Sequence, residues 1–320
     1  MALGEFDLIH RFFTRQPFRH RETALGVGDD CALLRCPAGM ELAVTADTLV
    51  SGVHFLPDVD PESLGHKALA VNLSDLAAMG AAPAWATLAL TLPAVDEPWL
   101  ESFARGFFAL AERHGLELVG GDTTRGPLSI TIQAMGLVPA GAALLRSGAK
   151  PGDSIYVSGP LGSAGLGLKI RRGETALADA EAVARLERPE PLVRLGQLLR
   201  GAASACIDIS DGLAADLGHI LAASGVGGFV DVDRLTVAEA VRRYAAETGD
   251  ESLPLTAGDD YELCFTVPPP HQEGLQQRLS EAGLHLLPVG RIEAESGLRL
   301  LRKGEPLTPT TAGYEHFSRN

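Results

Sequence analysis

The stretch "LVGGDTTRG" at residues 118–126 runs from apolar residues through two glycines into an aspartate, two threonines and an arginine. The same arrangement, an acidic cluster where an apolar stretch ends, recurs as "GVGDD" (26–30), "TADT" (45–48), "DISDG" (208–212) and "AGDD" (257–260). Proteins of the α/β class bind ligands at the carboxyl ends of their strands. We therefore expect an α/β fold in which exposed acidic turns at strand ends form a site.

The composition indicates a globular protein of two domains. A chain of 320 residues exceeds the usual size of one hydrophobic core, and 46% of its residues are hydrophobic. No window approaches the roughly 18 uninterrupted apolar residues of a membrane helix. The N-terminal "MALGEFDLIHRFF" also lacks the regions that make up a secretory signal. We expect no membrane partner and a chain that is mature as written.

The charge of the chain limits the classes of partner it could bind, and its cysteines indicate the compartment. A formal net charge of -14 with only four lysines argues against binding to nucleic acid, so the partner is expected to be small or metallic. The four cysteines show no C-x-x-C spacing. Cys206 and Cys264 lie in apolar, strand-like runs and are expected to be buried, reduced thiols of a cytoplasmic protein.

The first half of the chain alternates strand and helix patterns. "ELAVTAD" predicts a strand that ends at Asp47, and Asp60 followed by Pro61 predicts the start of a helix that stops at Gly80. Within this mostly apolar helix, Asn72 and Asp75 share one face. A buried carboxylate there needs a partner, and a metal is one candidate. Further patterns predict a helix at 97–114 and strands at 117–122 and 128–138.

A stretch rich in Gly, Ala and Pro at about 140–150 marks the predicted domain boundary, after which the alternation restarts. We expect an α/β (α+β) protein with a mixed-sheet N-terminal domain, 1–145, and a C-terminal α/β domain, 146–320. "GPLGSAGLGL" (159–168) is equally consistent with a plain helix start and with a phosphate cradle. The other predicted elements are strands at 154–159, 205–210, 261–267 and 284–292, a helix opened by Ser210 or Asp211, and a helix around 271–283.

The acidic clusters predict magnesium. Turn and cap preferences explain any one of these aspartates, but carboxylates converging on one site would repel one another unless cations lay between them. Oxygen ligands without His or Cys select Mg²⁺, and bound Mg²⁺ usually implies a nucleotide. The chain has no Gly-Lys dipeptide, which excludes a Walker A loop, and it lacks the protein-kinase motifs. Mg²⁺ held by acids would then neutralise phosphate. The aspartates concerned are Asp29, Asp30, Asp47, Asp75, Asp122, Asp208 and Asp211.

Eight motifs resemble those of the thiamine-monophosphate kinases, in a superfamily with aminoimidazole ribonucleotide synthetase and selenophosphate synthetase. They stand in the family's order over nearly the whole chain: "GVGDDCALL", "TADTLVSGVHF", "KALAVNLSDLAAMGAAP", "GGDTTRGPLSIT", "RSGAKPGDSIYVSGPLG", "DISDGLAADL", "AGDDYELCFT" and "GYEHF". The resemblance implies ATP-dependent phosphorylation of thiamine monophosphate to thiamine diphosphate. It also implies a homodimer whose N-terminal domains pair and form the nucleotide site.

The same resemblance implies roles for individual residues. Those implied for Mg²⁺ are Asp30, Thr45, Asp47, Asp75, Asp122, Asp208 and Asp211; those for ATP are Gly121, Asp122, Arg146 and Ser210; those for the substrate are His54, Glu262 and Tyr314. Ala104 stands where some relatives have a tyrosine near the nucleotide, so no aromatic adenine contact is expected. His54 and Tyr314 could instead be packing residues. Asp29 and Asp259 could be turn or supporting residues and are left out of the ligand set.

Mechanism and alternatives follow from this set. The phosphate oxygen of the substrate can attack the γ-phosphorus in line, so no nucleophilic side chain is needed, and Arg146 is the expected phosphate clamp. A Ca²⁺-stabilised binding protein would group its ligands in one loop, whereas these acids are scattered. A sibling enzyme is the closer alternative. Selenophosphate synthetase would need a reactive cysteine and a lysine ahead of the first Gly-Asp-Asp, and here the first lysine is Lys67 and the first cysteine Cys31.

Overall fold

The computed structural model describes residues 5–14, 16 and 19–307. The chain divides into two compact units. Unit one comprises residues up to Leu76 together with Ala81–Gly141, and unit two comprises Ala77–Gly80 and the chain from Ala142 onward. Among the described helices, none combines the length and the apolar character needed to cross a bilayer.

Unit one is built on a four-stranded sheet in the order β3-β6-β4-β5. β3 and β6 pair antiparallel over their full length, from Met40 opposite Pro139 to Val50 opposite Ser129. β4 is antiparallel to β6 and parallel to β5, so the sheet is mixed as expected. The elements that begin in this unit are α1 (Glu5–Phe12), β1 (Thr23–Leu25), β2 (Leu33–Leu34), β3 (Met40–Val50), α2 (Pro61–Ala78), β4 (Ala82–Leu92), α3 (Glu97–Arg113), β5 (Glu117–Arg125) and β6 (Ser129–Pro139).

One face of this sheet carries the core of unit one. Ile130 and Ile132 on β6 are fully buried, and α2 approaches this sheet closely enough that a Cβ on Gly136 would meet Leu76 at 3.2 Å. On the edge strand β3, Leu42 and Val44 remain 43% and 51% exposed. Because side chains alternate along a strand, Leu42 and Val44 lie on the opposite face of the sheet. On that face Ala32 and Leu34 pack against Trp85, which is buried, whereas Leu42 and Val44 on β3 stay exposed.

Two predicted strand ends are wrong. β3 continues three residues past Asp47, which lies opposite Ile132, and β5 continues past Asp122, which lies opposite Ala89. The reason is that neighbouring strands are long enough to continue the hydrogen-bond ladder past each acid. All of "LVGGDTTRG" except its last glycine therefore belongs to strand β5 and not to a turn, and these two carboxylates project from a sheet.

Unit two contains a seven-stranded sheet in the order β13-β12-β9-β11-β7-β10-β8. Its neighbours are antiparallel except β9 and β12, which run parallel. The elements are β7 (Ser154–Val157), α4 (Ser163–Arg171), α5 (Ala180–Glu187), α6 (Val193–Leu199), β8 (Ala205–Asp208), α7 (Leu213–Ser224), β9 (Gly227–Asp231), a short 3-10 helix (Val232–Arg234), α8 (Glu239–Thr248), α9 (Leu253–Thr256), β10 (Leu263–Val267), α10 (Pro269–Glu281), β11 (Pro288–Glu293), β12 (Gly297–Arg302) and β13 (Glu305–Leu307).

The central strands of unit two carry its core. Ile155, Ile207 and Phe265 are almost completely buried, and the rings of Tyr156 and Phe265 stack with centroids 5.4 Å apart. Cys206 and Cys264 lie unbridged in these strands, and their predicted burial is confirmed. Burial raises the pKa of both thiols, so they behave as small apolar residues.

Two predicted element starts in unit two are wrong. α7 begins at Leu213, not at Ser210 or Asp211, and β11 begins at Pro288, four residues later than expected. The short elements α5, α6, α8, β9 and β12 gave no clear periodicity. The mixed α/β class with two domains is confirmed, whereas the roles assigned to 1–145 and 146–320 stay predictions.

Candidate active site

Two carboxylates and a hydroxyl meet between β3 and α2. Thr45 and Asp47 lie on the face of β3 that α2 covers, and the Thr45 hydroxyl donates a short hydrogen bond to the Asp75 carboxylate. Burial, together with the nearby charge of Asp75, raises the pKa of Asp47 to about 6. Two carboxylates of like charge repel each other in this half-buried position, and a bound cation would relieve the repulsion.

A buried amide lies on the same helix one turn away. Asn72 is completely buried, and its amide nitrogen donates to the Ala68 carbonyl at 3.2 Å. Its Oδ1 has no hydrogen-bond partner, although a buried polar atom is normally paired. Carboxylate, hydroxyl and amide oxygens are what Mg²⁺ prefers, and this ion usually binds one or two carboxylates while keeping several waters. The donors of this group therefore fit Mg²⁺.

Gly121 and Asp122 lie side by side on the edge strand β5. A Cβ on Gly121 would stand 1.9 Å from the Leu88 carbonyl oxygen of the neighbouring strand, so only glycine fits there. Asp122 is exposed, as is Asp30 in the segment after β1. The Asp29 carboxylate accepts the Asp30 N–H at 2.9 Å, which agrees with a turn role for Asp29.

His54 follows β3 in a tight turn. The ring Nδ1 of His54 accepts the Val50 backbone N–H at 3.0 Å, and the backbone N–H of His54 donates to the Val50 carbonyl at 3.0 Å. Because Nδ1 accepts, the neutral ring carries its proton on Nε2. The half-buried ring is thus oriented by the backbone, with Nε2 as a hydrogen-bond donor.

In unit two, the segment "DISDG" wraps around a buried carboxylate. β8 ends at Asp208, two residues before the predicted end at 210, and the next four residues lead to α7. The backbone N–H groups of Ser210, Asp211 and Gly212 all donate to Asp216 Oδ2, at 3.0, 3.0 and 3.1 Å. Asp216 is only 2% exposed, and burial raises its pKa to about 6. These bonds replace the first helical turn, which explains why α7 starts later than expected.

Glu262 forms one wall of a pocket of about 430 Å³ in unit two. Its carboxylate accepts the Ser158 hydroxyl at 2.5 Å and lies 3.5 Å from Arg185 Nη1. A Cβ on Gly159 would stand 2.6 Å from the carboxyl atoms of Glu262, so any larger residue there would have to displace this carboxyl group. Burial raises the pKa of Glu262, against the opposing effects of Ser158 and Arg185. The pocket thus presents a carboxylate, an arginine and a hydroxyl.

The segments around Ser210 and Glu262 are joined by backbone hydrogen bonds. The Asp259 N–H donates to the Ser210 carbonyl at 2.9 Å, and the Tyr261 and Ile209 N–H groups bind the carbonyls of Ile209 and Glu262 at 2.9 and 2.7 Å. Asp259 and Tyr261 have positive φ angles of 68° and 50°, which non-glycine residues adopt at a cost. The two motifs are therefore one interlocked, strained structure.

The glycine-rich turn before α4 was predicted to be either a plain helix start or a phosphate cradle, and the structure favours the plain helix start. The N–H groups of Gly162 and Ala164 donate to the buried Asp260 carboxylate at 2.6 and 3.1 Å. Burial raises the pKa of Asp260 to about 7. Since a protein carboxylate already binds these donors, the turn is not arranged to cradle phosphate.

Two predicted residues remain, Arg146 and Tyr314. Arg146 is exposed in the connection between β6 and β7, and Tyr314 lies outside the described residues. Within the described ranges, no group of three or more His, Cys, Asp or Glu side chains is arranged to hold a metal. In unit one the structure brings Asp47 near Asp75. In unit two the predicted ligands Asp208 and Asp211 lie on one short segment.

Three residues of the site were missed from the sequence. Asp216 stands among Leu and Ala in a helical pattern, the same signal that drew attention to Asp75, and could have been found. Asp260 is the second aspartate of "AGDD", where turn preference alone explains an acid, so nothing in the sequence signals its buried role. Arg185 lies on the short helix α5, and no feature of the sequence connects it with Glu262.

The chain is similar to proteins of known function along its whole length. Residues 28–138 match the AIR synthase related protein, N-terminal domain, and residues 150–303 match the AIR synthase related protein, C-terminal domain. The chain is 50% identical over 323 residues to the thiamine-monophosphate kinase of Salmonella typhimurium, with 99% of each chain covered. Its identity to the thiamine-monophosphate kinase of Escherichia coli strain K12 is also 50%, again with 99% of each covered.

Solved structures give the same result. Thiamine-monophosphate kinase from Stenotrophomonas maltophilia superposes with a TM-score of 0.83 at 46% identity, covering 96% of this chain and 99% of that one. AaThiL complexed with AMPPCP and TMP superposes with a TM-score of 0.77 at 30% identity, covering 99% of both chains.

Proposed function

Because this chain belongs to the AIR synthase related family and, within it, to the thiamine-monophosphate kinases, we propose that it uses ATP to phosphorylate thiamine monophosphate to thiamine diphosphate. The whole-length identity of 50% carries this proposal. The AMPPCP and TMP bound by the relative AaThiL support ATP and thiamine monophosphate as the substrates. A Ca²⁺-stabilised binding protein and a sibling enzyme of the superfamily are not favoured.

We assign the Thr45, Asp47 and Asp75 group to Mg²⁺ because it offers oxygen ligands and because its two carboxylates repel each other without a cation. Bound Mg²⁺ would neutralise charge on the phosphates of ATP. Further ligands proposed from the resemblance are Asp30, Asp122, Asp208 and Asp211. Gly121, Asp122, Arg146 and Ser210 are proposed to face ATP, with Arg146 as a phosphate clamp.

The chain's own task is to hold two phosphates in line. The ionised phosphate of the substrate supplies the attacking oxygen, so the protein needs no nucleophilic side chain. We propose that Glu262 in its pocket, His54 through Nε2 and Tyr314 orient thiamine monophosphate. The buried Glu262 carboxylate is the best supported of the three, because Ser158 and Arg185 fix its position.

The proposed activity is tested directly with the purified chain. Incubation with ATP, Mg²⁺ and thiamine monophosphate should yield thiamine diphosphate and ADP in equal amounts. Thiamine, aminoimidazole precursors and selenide serve as alternative acceptors for the sibling activities. ATP consumed with one of these acceptors but not with thiamine monophosphate would contradict the proposal.

We also propose a homodimer that forms through the exposed β3 part of the unit-one sheet. β3 is an edge strand of 11 residues with Leu42 and Val44 exposed, and a second copy of the same face would bury both. Light scattering at micromolar concentration should give twice the 33.6 kDa mass of one chain. Val44→Asp should shift the protein towards the monomer, and a parent protein that is monomeric throughout would refute the dimer.

A cytoplasmic location completes the proposal. All four cysteines are unbridged, including the exposed Cys31 and Cys36. Reduced thiols are typical of a compartment with a reducing environment.

A further inference from the structure

The buried carboxylate of Asp216 has no place in the proposed chemistry, yet it makes the densest set of backbone contacts near the proposed ligands. One oxygen accepts three successive N–H groups, those of residues 210, 211 and 212. Successive N–H groups that converge in this way form a concavity that commonly binds a phosphate or another anion. Here a side chain from the first turn of α7 fills that concavity.

The burial of Asp216 argues against direct contact with a ligand. The residue is 2% exposed and lies beneath the segment, whereas Ser210 and Asp211 are only half-buried. The path of the segment is also narrow. Gly212 has a φ of 110°, and a Cβ there would stand 2.8 Å from the carbonyl carbon of Thr256. The segment therefore has one route over the carboxylate, and that route decides where its side chains project.

We propose that Asp216 is a positioning residue that holds the segment from Asp208 to Gly212 in the conformation that presents Asp208, Ser210 and Asp211 to Mg²⁺ and ATP. The inference rests on the proposed function, which assigns these three residues to the metal and the nucleotide. A residue that orients metal ligands from behind typically changes metal affinity by about 10–100-fold when it is removed.

The test compares Asp216→Ala and Asp216→Asn in the full-length protein. The alanine variant loses the acceptor, so the amides of residues 210–212 should exchange with deuterium at least ~10-fold faster without any ligand present. Its Mg²⁺ requirement should rise by about 10-fold or more. The asparagine variant keeps an acceptor oxygen in the same place and should fall between alanine and the parent in both measurements.

Asp153→Asn is the matched control. Asp153 is also buried, and it accepts the Lys150 N–H at 3.0 Å and the Ser204 hydroxyl at 2.6 Å, away from the segment. This variant should lose stability without a change in Mg²⁺ requirement or in exchange at residues 210–212. If the control raised the Mg²⁺ requirement as much as Asp216→Ala, the effect would be one of general stability and the proposal would be overturned.

The remaining outcomes also decide the question. An alanine variant that exchanges fast but keeps the parental Mg²⁺ requirement would overturn a positioning role. If Asp216→Asn showed parental hydrogen exchange at residues 210–212 but a Mg²⁺ requirement raised as much as in Asp216→Ala, Asp216 would be a metal ligand and the positioning role would be overturned. If the alanine variant does not fold, the asparagine variant and the control decide between these outcomes. Hydrogen exchange needs no turnover, so the contacts of Asp216 are judged separately even if the parent fails to make thiamine diphosphate.

Discussion

Asp75→Asn is expected to lower the turnover of thiamine monophosphate by about a thousandfold while leaving the metal-free protein at least as stable as the parent. Metal at a phosphoryl-transfer site supplies several kcal/mol of charge stabilisation, which corresponds to a factor of this order. Asn keeps the size of Asp and removes one charge from the group formed with Thr45 and Asp47. Turnover measured against Mg²⁺ concentration should also show a raised requirement.

The stability of the same variant has a predictable pH dependence. The pKa of Asp47 is raised to about 6 in the folded protein from 3.8, so the folded state holds this proton more tightly than the unfolded state. The protonated Asp47 carboxyl therefore stabilises the folded protein fully below about pH 4, and this contribution is lost as the pH rises through about 6. In Asp75→Asn the neutral amide no longer repels the charge of Asp47, so the loss of stability between pH 4 and pH 6 should be smaller than in the parent.

Thermal unfolding at pH 5 and pH 8, with and without Mg²⁺, measures this difference. Mg²⁺ should stabilise the parent more than the variant at pH 8, where both acids are charged. The control is Asp96→Asn, because Asp96 caps α3 by accepting the Trp99 N–H and asparagine caps a helix equally well. A variant at position 75 with parental turnover and an unchanged Mg²⁺ requirement would remove this group from the metal site.

Glu262→Gln should raise the Michaelis constant for thiamine monophosphate by about 100-fold and that for ATP by no more than a few-fold. Removing one partner of a buried charged hydrogen bond commonly costs about 2–5 kcal/mol in binding, and the pocket leaves Arg185 without its counter-charge. Steady-state kinetics with each substrate varied separately distinguishes the two constants. Equal changes in both would contradict the assignment of this pocket to the substrate.

Gly159→Ala provides an independent arm of that experiment. The added Cβ would stand 2.6 Å from the Glu262 carboxyl atoms and must displace them, although every charge in the pocket is kept. The variant should therefore change kinetics in the same direction as Glu262→Gln. Gly218→Ala is the matched control, because a Cβ there meets nothing within 4 Å on helix α7. Parental kinetics at position 159 would show that the position of the carboxylate is unimportant.

The sequence was informative where one residue type has one strong preference. Asp60 and Pro61 marked the start of α2, and an acid in an apolar helix identified Asp75. It was misleading at Asp47 and Asp122, because the length of a strand is decided by neighbours that are distant in sequence. The pocket beside Glu262 could not have been predicted, since Ser158, Arg185 and Glu262 meet only through the fold.

The interlocked segments around Ser210 and Glu262 have a thermodynamic consequence. Three backbone hydrogen bonds join them, so a fluctuation that opens one segment also breaks the bonds of the other. The pair therefore opens and closes as one cooperative unit. A molecule that binds either segment and keeps it closed reduces the entropy lost when the second molecule binds. With Ser210 assigned to ATP and Glu262 to thiamine monophosphate, as proposed above, linkage would make each substrate tighten the binding of the other by the same factor, although the two molecules need not touch a common side chain.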